Sequence, residues 1–243
     1  MVKEMEMVGE LRPAYSKEEL EGALHVHHAY PVLYRFMEEK YVNEFLETGR
    51  LMISTIRHCR ALEDQRRNDK NESAYSYELT WMDCSEIVDA RVGDNAFVLC
   101  CSLTQTAIHN SQNHSCLELH HWNDLVIEIG GQLRAQGFSI GEIFAGPCNY
   151  AVKSRQIDMS PLRSSEIRSD SGIVDSRKVD SIMAGVGREL FYITKDLNFV
   201  NEHEYRIMWL SNDAAPSDPV FVNIKSPKRY GSKVCAWGET YEG

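Results

Sequence analysis

The sequence predicts an α+β fold built on a mostly antiparallel sheet with a few peripheral helices. Short runs recur that either alternate in period two, as from Glu204 to Leu210, or are continuously apolar, as from Ala96 to Ser102; these are the patterns of half-buried and central strands. Segments with apolar residues at helical spacing are fewer and mostly short.

In chain order, Ser16-Lys17-Glu18-Glu19 is a capping box followed by Leu20, Ala23 and Leu24, so a short helix is expected from Lys17 to a His-rich turn. His25, His27 and His28 lack a Cys or carboxylate at zinc-site spacing and read as a solvated helix end. Val32–Phe36 predicts a short buried strand carrying one cation, Arg35. Val42, Phe45 and Leu46 stripe a helix that Gly49 closes in left-handed conformation, and a strand from Leu51 to Ser54 follows. Arg57 to Asn71 is almost wholly polar and charged and predicts a surface loop, with substrate contact as its functional alternative.

Tyr75, Tyr77, Leu79 and Trp81 alternate with polar residues as in a strand with one wet face, and Ala96–Ser102 is the expected central strand. Gln105 to His121 is polar; Cys116, His120 and His121 fit no common metal spacing, so no metal is expected. Leu125–Ile129 reads as a strand ended by Gly130-Gly131, and Phe138–Phe144 and Tyr150–Val152 as weaker strands. Arg155 to Asp175 reads as an irregular connection. Val179, Ile182, Met183, Val186 and Leu190 predict a helix, and Val220, Val222 and Ile224 a last strand. No repeat or linker divides the 243 residues, so one domain over 1–243 is expected.

A net charge of −10 opposes broad, sequence-independent binding to phosphate backbones. Seven cysteines without a C-x-x-C pair read as reduced thiols, and no run approaches the ~18 apolar residues of a membrane span. The expectation is a soluble, cytoplasmic protein without membrane partners.

The residues that suggest chemistry lie late in the chain. If the strand at Glu204 extends back two residues, Glu202 and Glu204 project to the same side, where they repel and require a cation or an altered protonation state. The structural alternative is an acidic strand entry solvated on an edge. Tyr205, Ile207 and Trp209 share one face, and Glu204, Arg206, Met208 and Leu210 the other. No P-loop, dinucleotide fingerprint, nucleophile elbow or H-E-x-x-H is present. The surviving set is Arg35 on an early strand, Ser102 ending a middle strand, and Glu202 with Glu204.

That order resembles the ADP-ribosyltransferase superfamily, in which an Arg or His on the first strand, a Ser or Tyr on a middle strand and a late Glu, often in Glu-x-Glu, clasp NAD. Leu33-Tyr34-Arg35-Phe36, then a helix ending in Thr48-Gly49-Arg50-Leu51, also resembles the opening of the bacterial DarT toxins, which have His where Arg35 stands. Phe97–Ser102, Trp122–Ile129 and Lys195…Glu202-x-Glu204-Tyr205-Arg206-Ile207 are similar to landmarks of a bacterial family of unknown function, DUF2971. The middle motif departs as Cys101-Ser102-Leu103 instead of Ser-Thr-Ser, and Glu63-Asp64-Gln65-Arg66 replaces an Asn-Asp-Pro-like stretch.

The resemblance implies a split, mostly antiparallel sheet and NAD as substrate, with ADP-ribose passing to a protein or nucleic-acid acceptor in a toxin or phage-defence setting. It implies Glu204 as stabiliser of the ribosyl cation, Glu202 as base or orienter of the acceptor, Arg35 as holder of the NAD diphosphate or ribose, and Ser102 as brace of Glu204 or the nicotinamide ribose. Tyr34, Arg35, Ser102 and Glu204 are the expected NAD-binding residues. The alternatives are NAD glycohydrolysis, and an inactive relative that binds nucleic acid or protein through the Arg57–Lys70 loop.

Overall fold

Ser16 caps the first helix as its sequence requires: its hydroxyl accepts from the Glu19 N–H, and the Glu19 carboxylate accepts from the Ser16 N–H, each at 3.2 Å. The computed structural model describes residues 16–61, 74–80, 85–91, 93–105, 114–150, 154–158 and 194–234. The elements are α1 (Lys17–Gly22), β1 (Leu24–Val26), β2 (Leu33–Glu38), α2 (Glu39–Thr48), β3 (Arg50–Thr55), α3 (Ile56–Ala61), β4 (Ala74–Thr80), β5 (Ser85–Arg91), β6 (Ala96–Ser102) and β7 (His114–Leu119). There follow α4 (Trp122–Ala135), β8 (Ile140–Pro147), β9 (Asn149–Tyr150), β10 (Ser154–Asp158), β11 (Thr194–Lys195), a 3-10 helix (Leu197–Glu202), β12 (Glu204–Ser211), β13 (Val220–Asn223), a 3-10 turn (Pro227–Arg229) and β14 (Gly231–Val234).

The fold is α+β with a mostly antiparallel mixed sheet. Nine strands form the main sheet in the order β1-β8-β12-β6-β2-β7-β14, with β3 pairing β6 and β13 pairing β3. Only β1 on β8 runs parallel within it. Period two places β6 and β12 as expected: Phe97, Leu99, Cys101, Tyr205, Ile207 and Trp209 join the main core with α2 and α4, while Ala96, Val98, Met208 and Leu210 pack with Ile56 on the other face.

One edge of β6 pairs β12 along its length, but its other edge is shared. Tyr34 of β2 faces Ser102 at one end, and Ser54 and Thr55 of β3 face Val98 and Phe97 at the other. The sheet therefore forks at β6.

Several expectations need correction. Leu125–Ile129 lies inside α4, not in a strand: Leu125, Val126, Ile127 and Ile129 are all buried, and this short run, broken only by Glu128, does not span enough of the helix to show its period. Gly130 does not end the segment; a Cβ there would stand 3.2 Å from Leu20 and 3.4 Å from Ile143, so its absence lets α4 lie close to both α1 and the sheet. Leu24 starts a strand, not a helical turn, because β1 is captured in parallel register by Ile143–Ala145. The polar segment 105–121 contains β7, the irregular connection from Arg155 begins within β10, and β5 pairs β4, none of which shows a strong apolar pattern. The expected surface loop opens as α3, with Arg57 donating to the Ala215 carbonyl at 3.1 Å and Arg60 pairing with Asp94 at 2.6 Å. Its remainder, 62–71, and the helix expected at Val179–Leu190 lie outside the described residues. Among the described residues, no helix is long and apolar enough to cross a membrane.

Candidate active site

The register of three adjacent strands sets Tyr34, Ser102 and Glu204 in one row, since Tyr34 faces Ser102 and Ser102 faces Glu204. Facing residues on neighbouring strands share a side of the sheet, so the row presents a phenol, a hydroxyl and a carboxylate to one cleft. That cleft, about 320 Å³, is lined by Tyr34, Arg35, Ser102, Glu202 and Glu204 together with Lys195 and Arg206. All the residues singled out by sequence thus converge on one cavity, of a size at the small end of ligand pockets, ~300–1,000 Å³.

Glu202 and Glu204 meet by a different route from the one expected. Glu202 is the last residue of a 3-10 helix, and His203 adopts a left-handed conformation (φ +44°), so the strand begins at Glu204. Both carboxylates instead converge on Lys195: Nζ lies 2.5 Å from Glu202 Oε2 and also contacts Glu204 Oε2. The other Glu204 oxygen accepts from Arg206 Nε at 2.5 Å. Lys195 faces Tyr150 across the parallel β9–β11 pair, and the Tyr150 hydroxyl accepts the Glu204 N–H at 2.7 Å.

The two carboxylates are electrostatically unlike. Burial opposes ionisation of Glu204, whose side chain is 5% exposed, but Arg206 and Lys195 outweigh it and hold the carboxyl well below the usual carboxylate range. Burial, offset in part by Lys195 but reinforced by the Glu204 charge, pushes Glu202 up; its side chain is 28% exposed. The solvated strand entry is excluded for Glu204.

Arg35 pairs with neither carboxylate. Its guanidinium sits in the fork of the sheet, Nη1 donating to the Cys100 carbonyl at 3.0 Å and Nη2 to the Met52 carbonyl at 3.3 Å. These carbonyls are satisfied there because β2 and β3 diverge, and carbonyls leave a cation's charge uncancelled. The buried Nε of Arg35 has no hydrogen-bond partner among the described residues. Ser102 does not brace the Glu204 carboxylate: its hydroxyl donates to the Glu202 carbonyl at 2.9 Å and accepts the Thr104 N–H at 3.2 Å.

Lys195, Arg206 and Tyr150 complete the site without having been singled out for roles. Arg206 was legible, being the next residue on Glu204's face. Lys195 entered only as a family landmark, and Tyr150 lies 54 residues from Glu204 with no periodic signal linking them. His120 pairs with Glu118 at 2.9 Å and Cys116 is buried opposite Phe36. No family model, curated protein or solved structure matches the chain.

Proposed function

We propose that the protein cleaves the nicotinamide–ribose bond of NAD and transfers ADP-ribose to a protein or nucleic-acid acceptor. The observation that carries this reading is Glu204: a buried carboxylate held ionised at the floor of a cleft that also contains a second, differently poised carboxylate and an arginine without a carboxylate partner among the described residues. Breaking the C1′–N bond sends its electron pair to nicotinamide and leaves an oxocarbenium-like ribosyl centre, the kind of charge a fixed carboxylate stabilises. Glu204 supplies that charge. Glu202, nearer the opening, takes the proton released when the acceptor bonds to C1′. The Arg35 guanidinium, held by carbonyls, offers its charge to the diphosphate, while Tyr34 and Ser102 line the wall beside Glu204.

The test is nicotinamide release with and without cell extract. Release that requires extract is transfer; release in buffer alone is NAD hydrolysis, the same site with water as acceptor. Glu204→Gln should reduce release by about a hundredfold or more, measured on protein shown to be folded.

A second reading has its own support: both Glu204 oxygens already carry cation contacts and the Ser102 hydroxyl is bonded to backbone, as in a structural polar core. The cleft would then bind an anionic group of a nucleic acid or protein at Arg35. No nicotinamide release under any condition, and no rise in melting temperature with millimolar NAD, would select it.

A further inference from the structure

We propose that Lys195 is a positioning residue: by bridging Glu202 and Glu204 it divides their tasks, leaving Glu204 as the charge-bearing member and Glu202 as the proton-exchanging member. This inference rests on the reaction proposed above and adds the device that assigns the two carboxylates their tasks.

The geometry is unequal. Glu204 receives one cation on each oxygen, Arg206 on Oε1 and Lys195 on Oε2, whereas Glu202 has only a share of Lys195. When a proton enters the cluster it therefore settles on Glu202, which has fewer cation contacts and greater exposure. Lys195 is approached from several sides. Its strand is paired to β9, its ammonium lies 4.8 Å from the Phe199 ring centre, and the Tyr150 directly beside it receives the Glu204 N–H.

Among the described residues, the other titratable and charged groups facing the pair are Arg206 on β12, Tyr150 on β9 and Cys100 on β6; across the cleft stand Tyr34, Arg35 and Glu38 on β2, Tyr41 on α2, and His58 and Cys59 on α3. Burial pushes both the Tyr150 phenol and the Cys100 thiol up, so neither competes for the proton at neutral pH. Within the carboxylate pair the exchange falls to Glu202, with Lys195 setting its position.

The test follows the glutamate carboxyl carbons by NMR through a pH titration, with Glu202→Gln identifying the Glu202 signal. In Lys195→Met the Glu202 midpoint should rise by about one to three units, the usual effect of an opposite charge removed from contact; Lys195→Arg should remain near wild type. The acid limb of nicotinamide release should move upward with it, a shift that loss of packing alone does not produce. A Glu202 midpoint unmoved or lowered in Lys195→Met overturns the proposal. Should that variant fail to fold, Glu204→Gln serves: with the Glu204 charge removed and Lys195 no longer shared with it, the Glu202 midpoint must fall, and an unchanged midpoint overturns the proposal. The carboxyl titration needs no NAD. A midpoint shift without nicotinamide release from any variant would overturn the reaction and leave the division of charge standing.

Discussion

Ser102 and Glu204 stand directly opposite each other across β6 and β12, yet the Ser102 hydroxyl donates to the main-chain carbonyl of Glu202 at 2.9 Å. The serine thereby ties down the turn that delivers Glu202 to Lys195. Ser102→Ala should cost about 1 kcal/mol of stability, the net worth of one such bond, and reduce nicotinamide release by less than about tenfold, far below the loss expected of a group touching the reacting centre. Urea unfolding and the release assay measure the two effects. A loss as large as that of Glu204→Gln would place the hydroxyl on the substrate instead.

The acidic pair should respond to neutralisation with opposite signs. Glu204 has a folded value depressed below the ordinary 4.5, so its contribution is present above 4.5 and lost as pH falls toward the folded value. Glu202 has a raised value, so the folded protein keeps its proton longer than the unfolded chain, and ionising it costs stability as pH rises from 4.5 through the raised value. At pH 7, Glu204→Gln should lower the melting temperature, by an amount corresponding to about 3–5 kcal/mol for one partner removed from a buried pair, while Glu202→Gln should raise it. Both differences should shrink toward pH 3. Thermal melts across that range decide the matter, and a loss of the same size from both substitutions would refute the unequal pair.

Arg35→Lys tests the fork of the sheet. A lysine lacks the planar geometry that reaches both the Cys100 and Met52 carbonyls. One charge-assisted bond lost there should cost about 1.5–3 kcal/mol. If the cation also meets the NAD diphosphate, the dissociation constant for NAD should rise about tenfold or more, read by ligand-induced shifts of the melt. Lost stability with an unchanged NAD response would confine Arg35 to a structural bracket.

Gly49→Ala should be strongly destabilising. Gly49 closes α2 at φ +78°, and a Cβ there would stand 2.0 Å from the Ile224 carbonyl oxygen. The left-handed conformation alone costs a non-glycine residue about 1–2 kcal/mol, and the collision adds to it, since the Gly49 carbonyl accepts the Ile224 N–H at 2.8 Å and holds the two segments together. A denaturation midpoint within error of wild type would contradict this packing.

What could be read along the chain was whatever depends on near neighbours. The capping box at Ser16, the left-handed Gly49, and the alternation that sends Tyr205, Ile207 and Trp209 to the core and Glu204 and Arg206 to the cleft all follow from backbone sterics and the two-residue period of a strand. The strand at Glu204 did not extend back to Glu202, because the left-handed His203 interrupts it. Where a short apolar run shows too little of its element's period, as Leu125–Ile129 does within α4, the same reasoning points to the wrong element.

Tertiary structure alone decided how the candidate residues are charged and held. Lys195 reaches Glu204 through a two-residue strand pair with Tyr150, and Arg35 finds its carbonyls because β2 and β3 part at β6. Periodicity specifies the side of an element a residue occupies. Which distant cation arrives there depends on strand pairing between remote segments, and the protonation of a buried carboxylate depends on the balance between its desolvation and those arriving charges.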